Sequence, residues 1–210
     1  MPQTKKPTKS QRAYDRLRRM VLSGQFSDDK PWSIRELAKH FRMSVVPVFG
    51  AIKRLEQEGI LKVSPQRGIG LNKLSAGQVR QANVVREGLE VQAARILARE
   101  NNAAKIDKLR QLALRIRKLV QEGKLQDAGY MDYEFHRKLF ELADCAILEE
   151  RYNQIATICL LSMNAWDRDS FDEDTPNAPL RHMTVVEALE KGDPEEADRA
   201  IRKHIRSYAS

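Results

Sequence analysis

The chain has 210 residues, 41% hydrophobic and 31% charged, which excludes a disordered polymer and allows one large domain or two small ones. Aromatics make up 6%, too few for an aromatic-rich sheet, so aliphatic helix packing is expected. The net charge of +8 lies in the first third: residues 1–74 hold 16 Lys/Arg against 6 Asp/Glu, and the remainder 21 against 23, so a polyanionic partner is expected for that segment alone.

The start, "MPQTKKPTKSQR", lacks the apolar core of a signal peptide, and residues 1–10 read as a flexible basic arm. "AYDRLRRMVLSG" then places Tyr14, Leu17 and Val21 at helical spacing, with Gly24 as a stop. In "SIRELAKHF", Ser33 and Glu36 form a capping box ahead of an apolar face of Ile34, Leu37, Ala38 and Phe41. A short break leads to "SVVPVFGAIKRLEQEGIL". Here Ser44 is an N-cap, Pro47 lies in the first turn, and Val48, Ala51, Ile52 and Leu55 fall at i, i+3, i+4 and i+7 before Gly59. "LKVSPQRGIGLNKL" holds two short β runs about a Pro/Gly turn. Three helices and a hairpin predict a winged helix-turn-helix over residues 1–74, with the third helix free to enter a major groove. Lys53, Arg54, Lys62 and Arg67 are the expected phosphate contacts. A helical packing module without nucleic-acid function is the competing reading.

This segment resembles the GntR family of bacterial regulators in "IRELAKHF", in the run from Ser44 to Leu61, and in "QRGIG". The resemblance implies double-stranded DNA as partner and places Arg35, Ser44 and Gly68 in motif positions. It also marks a departure: the family's arginines after the serine and after the Pro-Val pair are Val45 and Phe49 here. Arginine reads guanine edges, whereas Val and Phe touch thymine methyls or pack. DNA binding is therefore expected without the family's usual operator sequence.

From residue 75 onward helical patterns run to the end, at roughly 77–100, 104–122, 125–143, 147–168, 178–191 and 194–208. The expected fold is mainly α, with an antiparallel bundle over 75–210. Cys145 and Cys159 match neither a disulfide framework nor a CxxC site, which suits a reducing cytoplasm. The apolar run at 155–166 is too short to span a membrane. "DRDSFDEDTPNAP" reads as an acidic connector. Near the end Gly192 stops one helix, and Asp193, Pro194 and Glu196 start the next.

Three of the four histidines lie in this part. His136 is one turn from Asp132 and beside Phe135 and Leu139; His182 shares a stripe with Val185, Val186 and Leu189, and His204 one with Ala197, Ala200 and Ile201. A single inward histidine is most often a satisfied core residue. Three of them with an inward carboxylate point to a divalent metal, because unpaired buried polar groups are costly. One carboxylate and three imidazoles suit Zn²⁺, Ni²⁺ or Mn²⁺.

The spacing of Asp132, His136, His182 and His204 resembles the metal site of the FadR-type C-terminal ligand-binding domain (FCD) of GntR regulators. "VREGLEVQAARILA" resembles its opening helix and "HMTVVEALEKGDPEEA" its close. Six C-terminal helices resemble the VanR-like subgroup, and Arg181 stands where a glutamate often precedes the third ligand. The resemblance implies a small organic acid as effector, with Arg86 in the position of the arginine in R-x-x-L-E. Arg86 has two readings, a carboxylate ligand or a buried ion pair with Glu90. The expected whole is a metabolite-responsive regulator, a cytoplasmic homodimer on an inverted-repeat operator, with no membrane partner and no enzymatic activity. A metalloenzyme acting on carboxylic acids and an architectural DNA-binding protein are the alternatives; Glu134, the nearby acid, is rotated away from Asp132 and His136.

Overall fold

The computed structural model describes residues 7–22, 25–26, 31–72, 75–164 and 181–206, without the side chains of 76, 126 and 157–164. The chain divides into two compact units, residues 1–73 and 74–210.

In the first unit, α1 (Lys9–Leu22), α2 (Ile34–Phe41) and α3 (Val45–Gln57) precede the antiparallel hairpin of β1 (Leu61–Ser64) and β2 (Gly68–Leu71). Helix α1 takes in Lys9 and Ser10, two residues expected in the flexible arm; Thr8 accepts from Gln11 N through its hydroxyl, and that cap starts the helix early. Its apolar stripe, Ala13, Tyr14, Leu17, Met20 and Val21, is buried and packs on α3. Ser33 and Glu36 form the expected reciprocal capping box. Arg42 then turns into the left-handed region and closes α2. Ser44 stands at the N-cap of α3 in extended backbone but makes no side-chain capping bond, a departure from its expected role. Pro47, Val48, Ala51, Ile52 and Leu55 form the inward face of α3.

The hairpin is held at both ends. Leu61 pairs with Leu71 and Ser64 with Gly68, which leaves Pro65, Gln66 and Arg67 at the exposed tip. Ile69 exchanges backbone hydrogen bonds with Trp32. Gly68 has φ +82, and a Cβ there would lie 2.9 Å from the Trp32 carbonyl oxygen. Only glycine meets both demands without strain.

The second unit holds six helices among the described residues: α4 (Ala76–Glu100), α5 (Ala103–Gln121), α6 (Leu125–Ala143), α7 (Ala146–Asn164), α8 (Arg181–Glu190) and α9 (Pro194–Arg206). A Ser75–Gln78 capping box starts α4. Asn101 ends α4 in left-handed backbone, and Asn102 caps α5 by accepting from Ala104 N and Lys105 N. Asp193 caps α9 through Glu195 N, whereas the carboxylate of Glu196, expected to complete a box, is held by Lys191 at 2.7 Å. Helix α4 packs against α6, α7, α8 and α9, α5 packs on α6 and α8, and α8 on α9. The fully buried Phe135, Leu139 and Phe140 of α6, with Tyr152 of α7 stacked on Phe140 at 4.2 Å, form part of the core. Gly24 and the acidic stretch 167–179 lie outside the described residues, as do the ends of the last two expected helices, 178–180 and 207–208.

Candidate functional site

Helix periodicity alone turns Asp132 and His136 inward on α6. Packing brings His182 of α8 and His204 of α9 to the same point. All four are buried, with exposures of 6%, 1%, 1% and 1%. One donor atom from each lies within 4.8 Å of every other. His182 Nε2 is 2.8 Å from Asp132 Oδ1, His136 Nε2 is 3.8 Å from the same oxygen, and His204 Nε2 is 3.1 Å from His136 Nε2. Donors on one small divalent cation stand roughly 3–3.4 Å apart; these separations lie around that range, and the set could hold such an ion.

Behind His136 stands Glu90 of α4, completely buried. Its Oε2 lies 2.7 Å from His136 Nδ1, and its Oε1 accepts from Arg86 Nε at 2.6 Å. The carboxylate draws the ring proton to Nδ1 and leaves the Nε2 lone pair facing the cluster. Two imidazole nitrogens 3.1 Å apart repel unless a proton or a cation lies between them. Of the two readings of Arg86, the structure contains the ion pair with Glu90. Glu90 figured in the sequence only as that partner; its place four residues after Arg86 was the one signal, and its reach to His136 was invisible there.

The electrostatics follow from burial and charge. Burial pushes the His136 imidazole below its ordinary value, and Arg86 adds to the push, although Glu90 and Asp132 oppose it. Burial depresses His204 further, with His182 and His136 adding to it. Both rings are therefore neutral at neutral pH, the protonation state a metal ligand needs. Burial opposes ionisation of Asp132, but His136, His182 and Arg86 outweigh it and hold the carboxyl well below the usual range. Glu90 is likewise lowered, against burial, by Arg86 and His136.

In the first unit, the residues expected to meet DNA lie on α2 (Arg35), at the N-cap of α3 (Ser44), on α3 itself and in the hairpin. Arg35, Ser44, Lys53, Lys62 and Arg67 are exposed. Val45 and Phe49 are each 46% exposed, and Val46, which the sequence reading passed over, is 79% exposed. Arg54 is less free than expected: its guanidinium lies 3.8 Å over the Tyr14 ring and bonds Glu58 and Gln11. Gly68 serves the docking of the hairpin on Trp32.

Residues 9–71 match the family model for the bacterial regulatory proteins of the gntR family, and residues 81–207 match the FCD domain. The chain belongs to the GntR family. This GntR regulator is 29% identical over 202 residues to the HTH-type transcriptional repressor RspR of Escherichia coli K12, covering 95% of this chain and 87% of that one. It is 23% identical over 219 residues to the repressor NanR of Cronobacter sakazakii, covering 94% and 83%. Its fold is similar to that of E. coli McbR/YncC, with a TM-score of 0.82, 17% identity and coverage of 95% and 94%. No helix among the described residues of the GntR chain is long and apolar enough to cross a membrane.

Proposed function

We propose that this GntR regulator is a homodimeric repressor that binds an inverted-repeat operator and senses a small organic acid at a divalent-cation site in its helical unit. The observation that carries the sensing half is the convergence of Asp132, His136, His182 and His204 with Glu90 fixing the tautomer of His136. RspR and NanR are transcriptional repressors by name, and repression extends to this chain by likeness. The four ligands would hold Zn²⁺, Ni²⁺ or Mn²⁺, and the cation would supply a positive anchor for the effector's carboxylate. Arg86, engaged by Glu90, adds positive charge behind His136 and acts on the effector from there.

The homodimer is supported by an exposed stripe on α4, where Val84 is 74% and Val85 50% exposed and Gly88 has no neighbour within 4 Å of a built Cβ. An apolar face of this kind is costly in water and suits a second copy. A metalloenzyme would need a general base beside the metal, and Glu134, the nearby acid, has its carboxylate 3.0 Å from Arg137. Native mass spectrometry of protein purified without chelator tests the whole reading. A dimer carrying one divalent ion per chain and a small acid is the expected result, and a metal-free monomer would sink it.

A further inference from the structure

Eight consecutive residues of α3, "VVPVFGAI" from Val45 to Ile52, carry no side-chain hydrogen-bonding atom. Four of them, Pro47, Val48, Ala51 and Ile52, are buried and belong to the core. The other four, Val45, Val46, Phe49 and Gly50, form one outward face. The packing of the unit leaves this face bare, with Val46 79% exposed. At Gly50 the nearest heavy atom to a built Cβ is the Ser10 hydroxyl, 3.9 Å away. Space is thus not what excludes a side chain there, and the bare backbone permits close approach from outside. The next side-chain donor along the helix is Lys53, whose ammonium lies 2.7 Å from Glu56 and 6.0 Å from the centre of the Phe49 ring.

A duplex presents guanine as two acceptors and adenine as an acceptor and a donor, and both require polar side chains. The one apolar group on a base edge in the major groove is the 5-methyl of thymine. The face also sits in a segment with 16 basic and 6 acidic residues, with the exposed cations Arg35, Lys39, Arg42 and Arg67 in the same unit. An apolar partner surface bordered by negative charge is what a thymine-bearing groove offers, whereas an ordinary apolar protein patch lacks that charge.

We propose that α3 reads its half-site through thymine methyl groups, with Val45, Val46 and Phe49 as the specificity-determining residues and Gly50 as the point of closest backbone approach. This rests on the DNA-binding half of the proposed function and names what that surface recognises. The test uses the full chain. Duplexes are selected from a random library, and thymines of the selected half-site are replaced singly by deoxyuridine, which removes the methyl and keeps every hydrogen-bonding group. At two or more positions the Kd is expected to rise about three- to fivefold, the size of one buried methyl. In Val46→Ala, on an exposed position that leaves the core intact, the uridine penalty at one of those positions should shrink towards one. Selected duplexes that tolerate uridine everywhere would overturn the methyl reading alone. Failure to select any duplex at low salt would overturn the DNA-binding reading with it. A Val46→Asp protein that binds DNA as before but changes its oligomeric mass would assign the face to a second copy instead.

Discussion

At the scale of single residues, Glu90 connects two things that a list of ligands leaves separate. It aims His136 and it pairs with Arg86, all three side chains being buried. Glu90→Gln should lower metal affinity about 10- to 100-fold, read by calorimetric titration of Zn²⁺, Ni²⁺ or Mn²⁺ into metal-free protein. The same change removes the carboxylate that pairs with the buried Arg86, a cost of up to about 3–5 kcal/mol. The double variant Arg86→Met/Glu90→Gln should recover stability and not metal affinity. If both properties return together, Glu90 only balances charge. On the proposed metal reading, metal addition should raise the Tm of the parent, and His136→Ala and His204→Ala should abolish both metal binding and that rise. Gly68→Ala meets a positive φ and the Trp32 carbonyl at 2.9 Å together, so chemical denaturation should show a loss of about 1–3 kcal/mol.

At the scale of elements, α3 and the hairpin divide their cations between two tasks. Arg67 stands exposed at the hairpin tip, whereas Arg54 is stacked on Tyr14 and bonded to Glu58. Arg67→Ala should weaken DNA binding and flatten the log–log salt dependence by about 0.9 with the fold unchanged. Arg54→Ala should cost about 0.5–1 kcal/mol of stability as well, because it removes a cation over an aromatic face. Equal effects of the two substitutions on thermal unfolding would contradict this division. In α6, Phe135 is fully buried and its ring meets that of His182 edge-on at 4.7 Å. The same helix thus supplies core residues and the candidate ligands Asp132 and His136, and loss of Phe135 should loosen both.

At the scale of the whole molecule, acid and assembly are the two levers. His136 and His204 are held below their ordinary values in the folded chain, so the unfolded chain binds more protons as the pH falls. Their stabilising contribution is present above about pH 6.5 and is lost progressively below it. The lowered Asp132 and Glu90 add a second loss of the same sign, beginning only near pH 4. A Tm of metal-free protein that stays flat from pH 8 to pH 5 would contradict the neutral-histidine core. For assembly, Val84→Glu together with Val85→Glu should yield monomers by sedimentation. The dimer should protect an inverted repeat with half-sites about 34–36 Å apart, or a multiple of that.

What the sequence determined by itself was local. The capping box at Ser33, the stops at Gly59 and Gly192, and the inward stripes of α6, α8 and α9 are set within one or two turns by propensity and periodicity. Helix bounds and the burial of Asp132, His136, His182 and His204 were legible for that reason. The motif resemblance added the family, and the matches at 9–71 and 81–207 bear it out. The tertiary structure decided which inward residues face one another. Glu90 reaches His136 across 46 positions, Arg54 lies on Tyr14 across 40, and Gly68 fits under Trp32 across 36. Each depends on how separate elements stack. Local periodicity says which face of a helix is buried, but the partner across the core is chosen by the packing of all the elements at once.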